Sequence, residues 1–274
     1  MSSSRKNLEA TFRDIIDKCN SGTEEGLESV LHATVGFNGS DCLRRDFPER
    51  LNGRDGVHST NVVKIDTILL DEHGRVAARL INKTTLRDTN KVFEYAEIIF
   101  ADFTNNALLT WQTLRDEDGI QSQQSTIPVT PSPPSAVRSS SAMSSRDLKS
   151  FYQRYIDCIN KKTMAEEFAR FCQPELIHND HKLSIAEYTP LISDSQHAIE
   201  GLLFTIELLF MDEETQQIAA RLEFTGTPVQ EWGGAKPNGK AVKFHEHVMY
   251  QLEDGKISRV WSVLELDAYR QQMI

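Results

Sequence analysis

FHEHVMYQLEDGKISRVWSVLELD, Phe244 to Asp267, is the stretch on which the fold turns. Successive side chains of a strand point to opposite sides of a sheet, so Phe244, Glu246, Val248 and Tyr250 share one face. His245, His247, Met249 and Gln251 share the other. Asp254-Gly255 is a dipeptide favoured in two-residue hairpin turns, because both central positions of a type I′ turn need positive φ. The return run over 256–266 places Ile257, Arg259, Trp261, Val263 and Glu265 on a common face. Both strands have mixed faces, so alternation leaves open which side looks into a core.

Outward from this hairpin the chain repeats itself. Phe12-RDIIDKCN-Ser21 answers Tyr152-QRYIDCIN-Lys161, each with apolar groups at helical spacing and an Asn at its end. Val76-AAR-Leu80 answers Ile218-AAR-Leu222, and Tyr95-AEIIFADFTNNALLT-Trp111 answers Phe244-HEHVMYQLEDGKISRV-Trp261. The last pair differs by one residue, most simply placed in the turn. Matches that keep their order while the spacing drifts are the mark of an internal duplication. Each half reads as helices followed by three or four long strands. In the second half, 165–171 and 195–201 are expected helical, and 202–211, 217–225, 241–252 and 256–266 extended. Helices followed by an antiparallel meander predict two α+β domains, each a curved sheet packed over helices.

Between the halves, EDGIQSQQSTIPVTPSPPSAVRSSSAMSSR loses all periodicity. Ser- and Pro-rich text of this kind buries too little apolar surface to offset its ordering entropy. The expected organisation is a domain over 1–116, a linker over 117–146 and a second domain over 147–274.

The chain has 274 residues, 39% of them hydrophobic, enough for two packed cores. A net charge of −10 argues against a nucleic-acid footprint or a polybasic membrane surface. Four cysteines without CxxC spacing read as reduced thiols. The N-terminal segment lacks a signal peptide's apolar centre, and no apolar run is long enough to span a bilayer. A cytoplasmic protein acting on a small molecule, with neither nucleic acid nor membrane as partner, is expected.

Arg221, Gly226-Thr227, the loop Lys236-Pro237-Asn238-Gly239-Lys240, Asp254-Gly255-Lys256-Ile257, Trp261 four residues before Glu265, and Gln271-Gln272 occur in that order. Together they resemble the SnoaL-like polyketide cyclases of the NTF2-like superfamily over roughly 150–274, with Ile177-His178-Asn179 echoing an earlier segment. The resemblance implies a cone-shaped α+β barrel around an apolar pocket. It also implies pairing through the sheets, which a tandem chain can make internally as a pseudo-dimer, leaving room for a further homo-oligomer. The implied activity is cyclisation or isomerisation without cofactor. Members also include non-enzymatic binding modules, so the fold alone leaves function open. Pro228 stands where members carry a His after Gly-Thr, and Glu265 where they carry Asp.

Such chemistry needs a base beside a carbonyl and an acid for an oxygen. Glu265 is the expected catalytic carboxylate, with His245 and His247 orienting substrate or stabilising an enolate. Arg221, Trp232, Trp261, Asn179 and Tyr155 are the expected substrate-binding residues. Arg221 recurs as Arg79, and Glu246 as Glu97, a sharing that suits a structural role. Two histidines at i, i+2 can grip a metal, but Glu253 falls at the turn and no later His completes a motif, so no metal is expected. The first half sets Ala96, Ile98 and Arg115 against His245, His247 and Glu265, and is therefore expected to lack the chemistry.

Overall fold

The computed structural model describes residues 3–23, 25–52, 58–127, 129–132 and 142–274. It divides into two compact units, Met1–Ser132 and Pro133–Ile274. In the first unit come α1 (Ser3–Ser21), β1 (Leu31–Phe37), β2 (Ser40–Leu43), α2 (Phe47–Leu51), β3 (His58–Leu70), β4 (Arg75–Leu86), β5 (Val92–Thr104), β6 (Ala107–Arg115) and α3 (Glu117–Ser122). In the second come α4 (Ser145–Asn160), α5 (Met164–Phe171), β7 (Cys172–His178), β8 (His181–Ser184) and α6 (Ile185–Ala198). They are followed by β9 (Ile199–Asp212), β10 (Gln217–Pro228), β11 (Val242–Glu253), β12 (Lys256–Leu264) and α7 (Leu266–Gln271).

Both units build a six-stranded sheet in one order, β2-β1-β6-β5-β4-β3 and β8-β7-β12-β11-β10-β9. Four long strands form the expected antiparallel meander. Two short strands extend it through a parallel pair, β1 on β6 and β7 on β12, so each sheet is mixed rather than wholly antiparallel. The helix expected at 195–201 ends at Ala198, and Gly201 lies inside β9.

Helix α4 shows why these residues fold as they do. The Ser144 hydroxyl accepts from the Asp147 amide, and Leu148, Phe151, Tyr152, Tyr155 and Ile159 then recur on one buried face. Each such side chain contributes about 1.5–3 kcal/mol on burial. Asn160 ends the helix and clamps the sheet to it: its amide donates to the Phe204 carbonyl and accepts from the Phe204 amide, both at 2.9 Å. Asn20 and Val63 repeat this clamp in the first unit.

Two expectations change here. The first concerns register. Both hairpins turn on two residues, Asn105-Asn106 and Asp254-Gly255, and both carry a bulge after the turn. A constant offset of 149 therefore runs through them, with Asp102 paired to Thr110 as Gln251 is to Arg259. Trp111 corresponds to Val260, not Trp261, and Glu265 corresponds to Asp116, not Arg115. The second concerns the linker. Asp116 caps α3 and accepts from the Gly119, Thr126 and Ile127 amides at 2.8–3.0 Å, and the Ser132 amide donates to Asp66 at 2.8 Å. The described part of 117–132 thus belongs to the first unit, held by buried carboxylates that composition does not reveal. Residues 133–141 lie outside the described residues.

Candidate active site

The β11 face bearing Phe244, Val248 and Tyr250 packs against the helices. Tyr250 lies 5.3 Å from Tyr152 and 5.9 Å from Tyr155, ring centre to ring centre. Phe244 packs on Phe224, Trp232 and Tyr269. Glu246 is on this interior face, and the β12 residue opposite Val248 is Ser262, also interior. His245, His247, Trp261 and Glu265 are on the other face.

Glu246 is therefore an acid in an aromatic interior. Its carboxylate accepts a short hydrogen bond from the Ser262 hydroxyl, its one hydrogen-bond partner among the described residues. Burial pushes its pKa up to about 7, against the lowering effect of that hydroxyl. The carboxyl is deeply enclosed by protein, while the residue as a whole is half-buried. Three phenols feel its charge: Tyr152, Tyr188 and Tyr250. Burial holds all three well above the ordinary tyrosine range, so each is a neutral donor. The Tyr155 and Tyr188 hydroxyls are 3.0 Å apart, and the buried Tyr152 hydroxyl is turned to that of Tyr250, whose hydrogen bond works against the burial that raises its pKa. His178 lies 5.7 Å from Tyr188 ring to ring, and burial lowers its pKa to about 4, which keeps the imidazole neutral.

The first unit holds the corresponding carboxylate in a closed form. Glu97 accepts from Thr113, as Glu246 does from Ser262, but also from Asn82 at 2.8 Å. Asn61 in turn donates to Asn82 at 3.0 Å. Asn82 sits opposite Tyr95, where the second unit has Phe224 opposite Phe244. Both oxygens of Glu97 are hydrogen-bonded and the residue is 2% exposed; among the described residues only one oxygen of Glu246 is hydrogen-bonded.

The expected site residues divide accordingly. Tyr155 is interior and 1% exposed, deep in the unit rather than at a mouth. Trp232 packs edge-on against Tyr269 at 5.1 Å and joins the apolar end of the same interior. Asn179 is a clamp: it donates to the Ser262 carbonyl and accepts from its amide, as Asn38 does with Thr113. His245, His247, Glu265 and Arg221 are brought together, but on the face away from the helices. His245 Nδ1 meets Glu265 at 2.7 Å, and Arg221 meets His247 at 2.7 Å and Glu207 at 2.8 Å. Trp261, on that face too, has Arg259 5.7 Å from its ring centre. Glu265 also precedes α7 as Asp116 precedes α3, which makes the acid a feature of both units. The missed residue is Glu246. The sequence placed it with Phe244, Val248 and Tyr250 on one strand face, but its recurrence as Glu97 pointed to a structural role and both faces are mixed, so only the packing of the helices sets it inside.

The SnoaL-like polyketide cyclase family model matches residues 149–273. Among solved structures, a SnoaL-like polyketide cyclase from Agrobacterium tumefaciens is 33% identical, with 46% of this chain and 98% of that one covered and a TM-score of 0.43. AclR from Streptomyces galilaeus is 20% identical over 47% and 97%, TM-score 0.42. TsrD from Streptomyces laurentii is 18% identical over 48% and 97%, TM-score 0.44. No curated protein matches the chain.

Proposed function

We propose, from the premise that the chain belongs to the SnoaL-like polyketide cyclase family through residues 149–273, that the C-terminal unit is a cofactor-independent cyclase or isomerase. Its substrate is a carbonyl-rich, polyketide- or terpenoid-like small molecule. The observation that carries this reading is Glu246, a carboxyl poised at about 7 with a single hydroxyl partner inside an aromatic interior.

A group titrating near neutrality serves as base in one step and acid in the next. Glu246 takes a proton from the carbon beside a carbonyl, and the electron pair moves onto the carbonyl oxygen. A neutral phenol donates a hydrogen bond to that oxygen, and Tyr152, Tyr188 and Tyr250, each within reach of the Glu246 charge, are the donors at hand. Return of the proton to another carbon completes an isomerisation. Attack of the enolate on a second carbonyl closes a ring, and Glu246 returns the proton to the new alkoxide. A positioned base of this kind contributes about 10²–10⁴-fold. The N-terminal unit, with Glu97 closed by Asn82, is a non-catalytic partner, and the intrachain pseudo-dimer belongs to the same proposal.

The test is exchange of α-hydrogens for deuterium in a panel of cyclic and linear diketones, followed by NMR in heavy water. Exchange that the wild type catalyses and Glu246→Gln loses supports the reading. Exchange of equal rate in both proteins, or none with any member, overturns it in favour of a binding module.

A further inference from the structure

Away from the helices, β9, β10 and β11 bring together Glu207, Glu223 and His245. Glu223 and His245 are directly opposite across the strand pair. Glu207 is the extra residue of a bulge in β9, between Leu208, which pairs with Arg221, and Ile206, which pairs with Leu222. A bulge turns a side chain away from its regular direction. His245 Nε2 lies 3.6 Å from Glu207 and 4.0 Å from Glu223, and the three donor atoms are all within 4.8 Å of one another.

From this geometry we infer a divalent transition-metal site, with zinc as the ion its imidazole and carboxylate donors suit best. Around tetrahedral zinc, donors at about 2.0–2.2 Å stand roughly 3.3–3.6 Å apart, so small side-chain movements close the cage. The other imidazole nitrogen is already held: Nδ1 meets Glu265 at 2.7 Å, the carboxylate–histidine arrangement that directs Nε2 towards an ion. The charge is incomplete as it stands. Three carboxylates, Glu207, Glu223 and Glu265, face two cations, Arg221 on Glu207 and the exposed Lys243 on Glu223. A dication in place of the Lys243 ammonium leaves the cluster neutral.

Comparison with the first unit isolates what was added. There the bulge residue Asp66 pairs with Arg79 at 2.5 Å, both side chains buried, as Glu207 pairs with Arg221. At the positions of Glu223 and His245 stand Ile81 and Ala96, paired with each other across the strands. The acid–arginine pair is thus common to both units, and the two further donors belong to the second unit alone.

The full chain, stripped of metal, is titrated with Zn²⁺ by calorimetry and with Co²⁺ by visible absorption. One Zn²⁺ per chain is expected, with a Co²⁺ spectrum of low coordination number. Affinity should fall at least tenfold in both His245→Ala and Glu223→Gln. It should fall about 10–100-fold in Glu265→Gln, which acts through the imidazole, and rise in Lys243→Ala. Glu246→Gln should bind as the wild type does, so failure here is distinct from failure at the interior site. No saturable binding, or undiminished binding in both folded His245→Ala and Glu223→Gln, overturns the site.

Discussion

Replacing Glu246 by Gln tests the interior directly, because the carboxyl's displacement to about 7 is a statement about stability. The ordinary value of 4.5 stands for the unfolded chain, where the group is solvated. Between the two values the unfolded state has lost its proton and the folded state has kept it. Stability tied to this group is therefore fully present below 4.5 and is lost as pH rises towards 7. At about 1.4 kcal/mol per pH unit the loss comes to at most about 3.5 kcal/mol, and to less where water reaches the carboxyl. Gln is nearly isosteric, keeps an acceptor for Ser262 and has no charge to desolvate. Glu246→Gln should thus match the wild type near pH 4.5, gain on it steadily up to about pH 7, and hold a constant advantage above. Urea unfolding at half-unit pH steps, with amide exchange in β11 reporting the second unit separately, measures the difference. A pH-independent offset, or a wild type that is the more stable protein at pH 8, would refute a desolvated Glu246. The wild-type rate on any substrate should also change near pH 7, the inflection being absent from the variant.

Tyr152→Phe removes a neutral phenol beside Glu246, so turnover should fall, and thermal unfolding beside kinetics separates that loss from a change in stability. His247→Gln, on the far face and able to keep an acceptor for Arg221, should leave turnover unchanged, and a tenfold loss would move the chemistry to that face. Asn82→Leu withdraws a donor from buried Glu97 and leaves Asn61 without its acceptor, costing about 2–3 kcal/mol in the first unit by urea unfolding. After a protease cut between 133 and 141, the halves should co-elute on gel filtration if they pair, and separate halves would rule out the pseudo-dimer.

Much was legible from local rules. Asp254-Gly255 marked the turn and the strands ran where alternation put them. The matched helices ended at Ser21 and Asn160, and the recurring Arg79 and Arg221 each pair with an acid, as a shared structural role implies. The linker was drawn too early because composition cannot show that Asp116 and Asp66 satisfy backbone amides beyond α3. A tryptophan that seemed to align with another shifted the register by one residue. In a strand that is enough to reverse every side chain. It made Glu265 look unique to the second half when Asp116 is its counterpart.

The sequence by itself determined the long strands of the second meander, the Asp254-Gly255 turn and the two sets of alternating side chains, because those follow from period 2 and from φ at that turn. It could not say which set faces the helices, since Phe244-Glu246-Val248-Tyr250 and His245-His247-Met249-Gln251 both mix apolar and polar groups. Only the packing of α4 onto the sheet decided it, because burying Phe244, Val248 and Tyr250 against Tyr152 and Tyr155 carries Glu246 inside with them. That same choice turned His245 and Glu265 to the other side, where Glu207 and Glu223 are waiting.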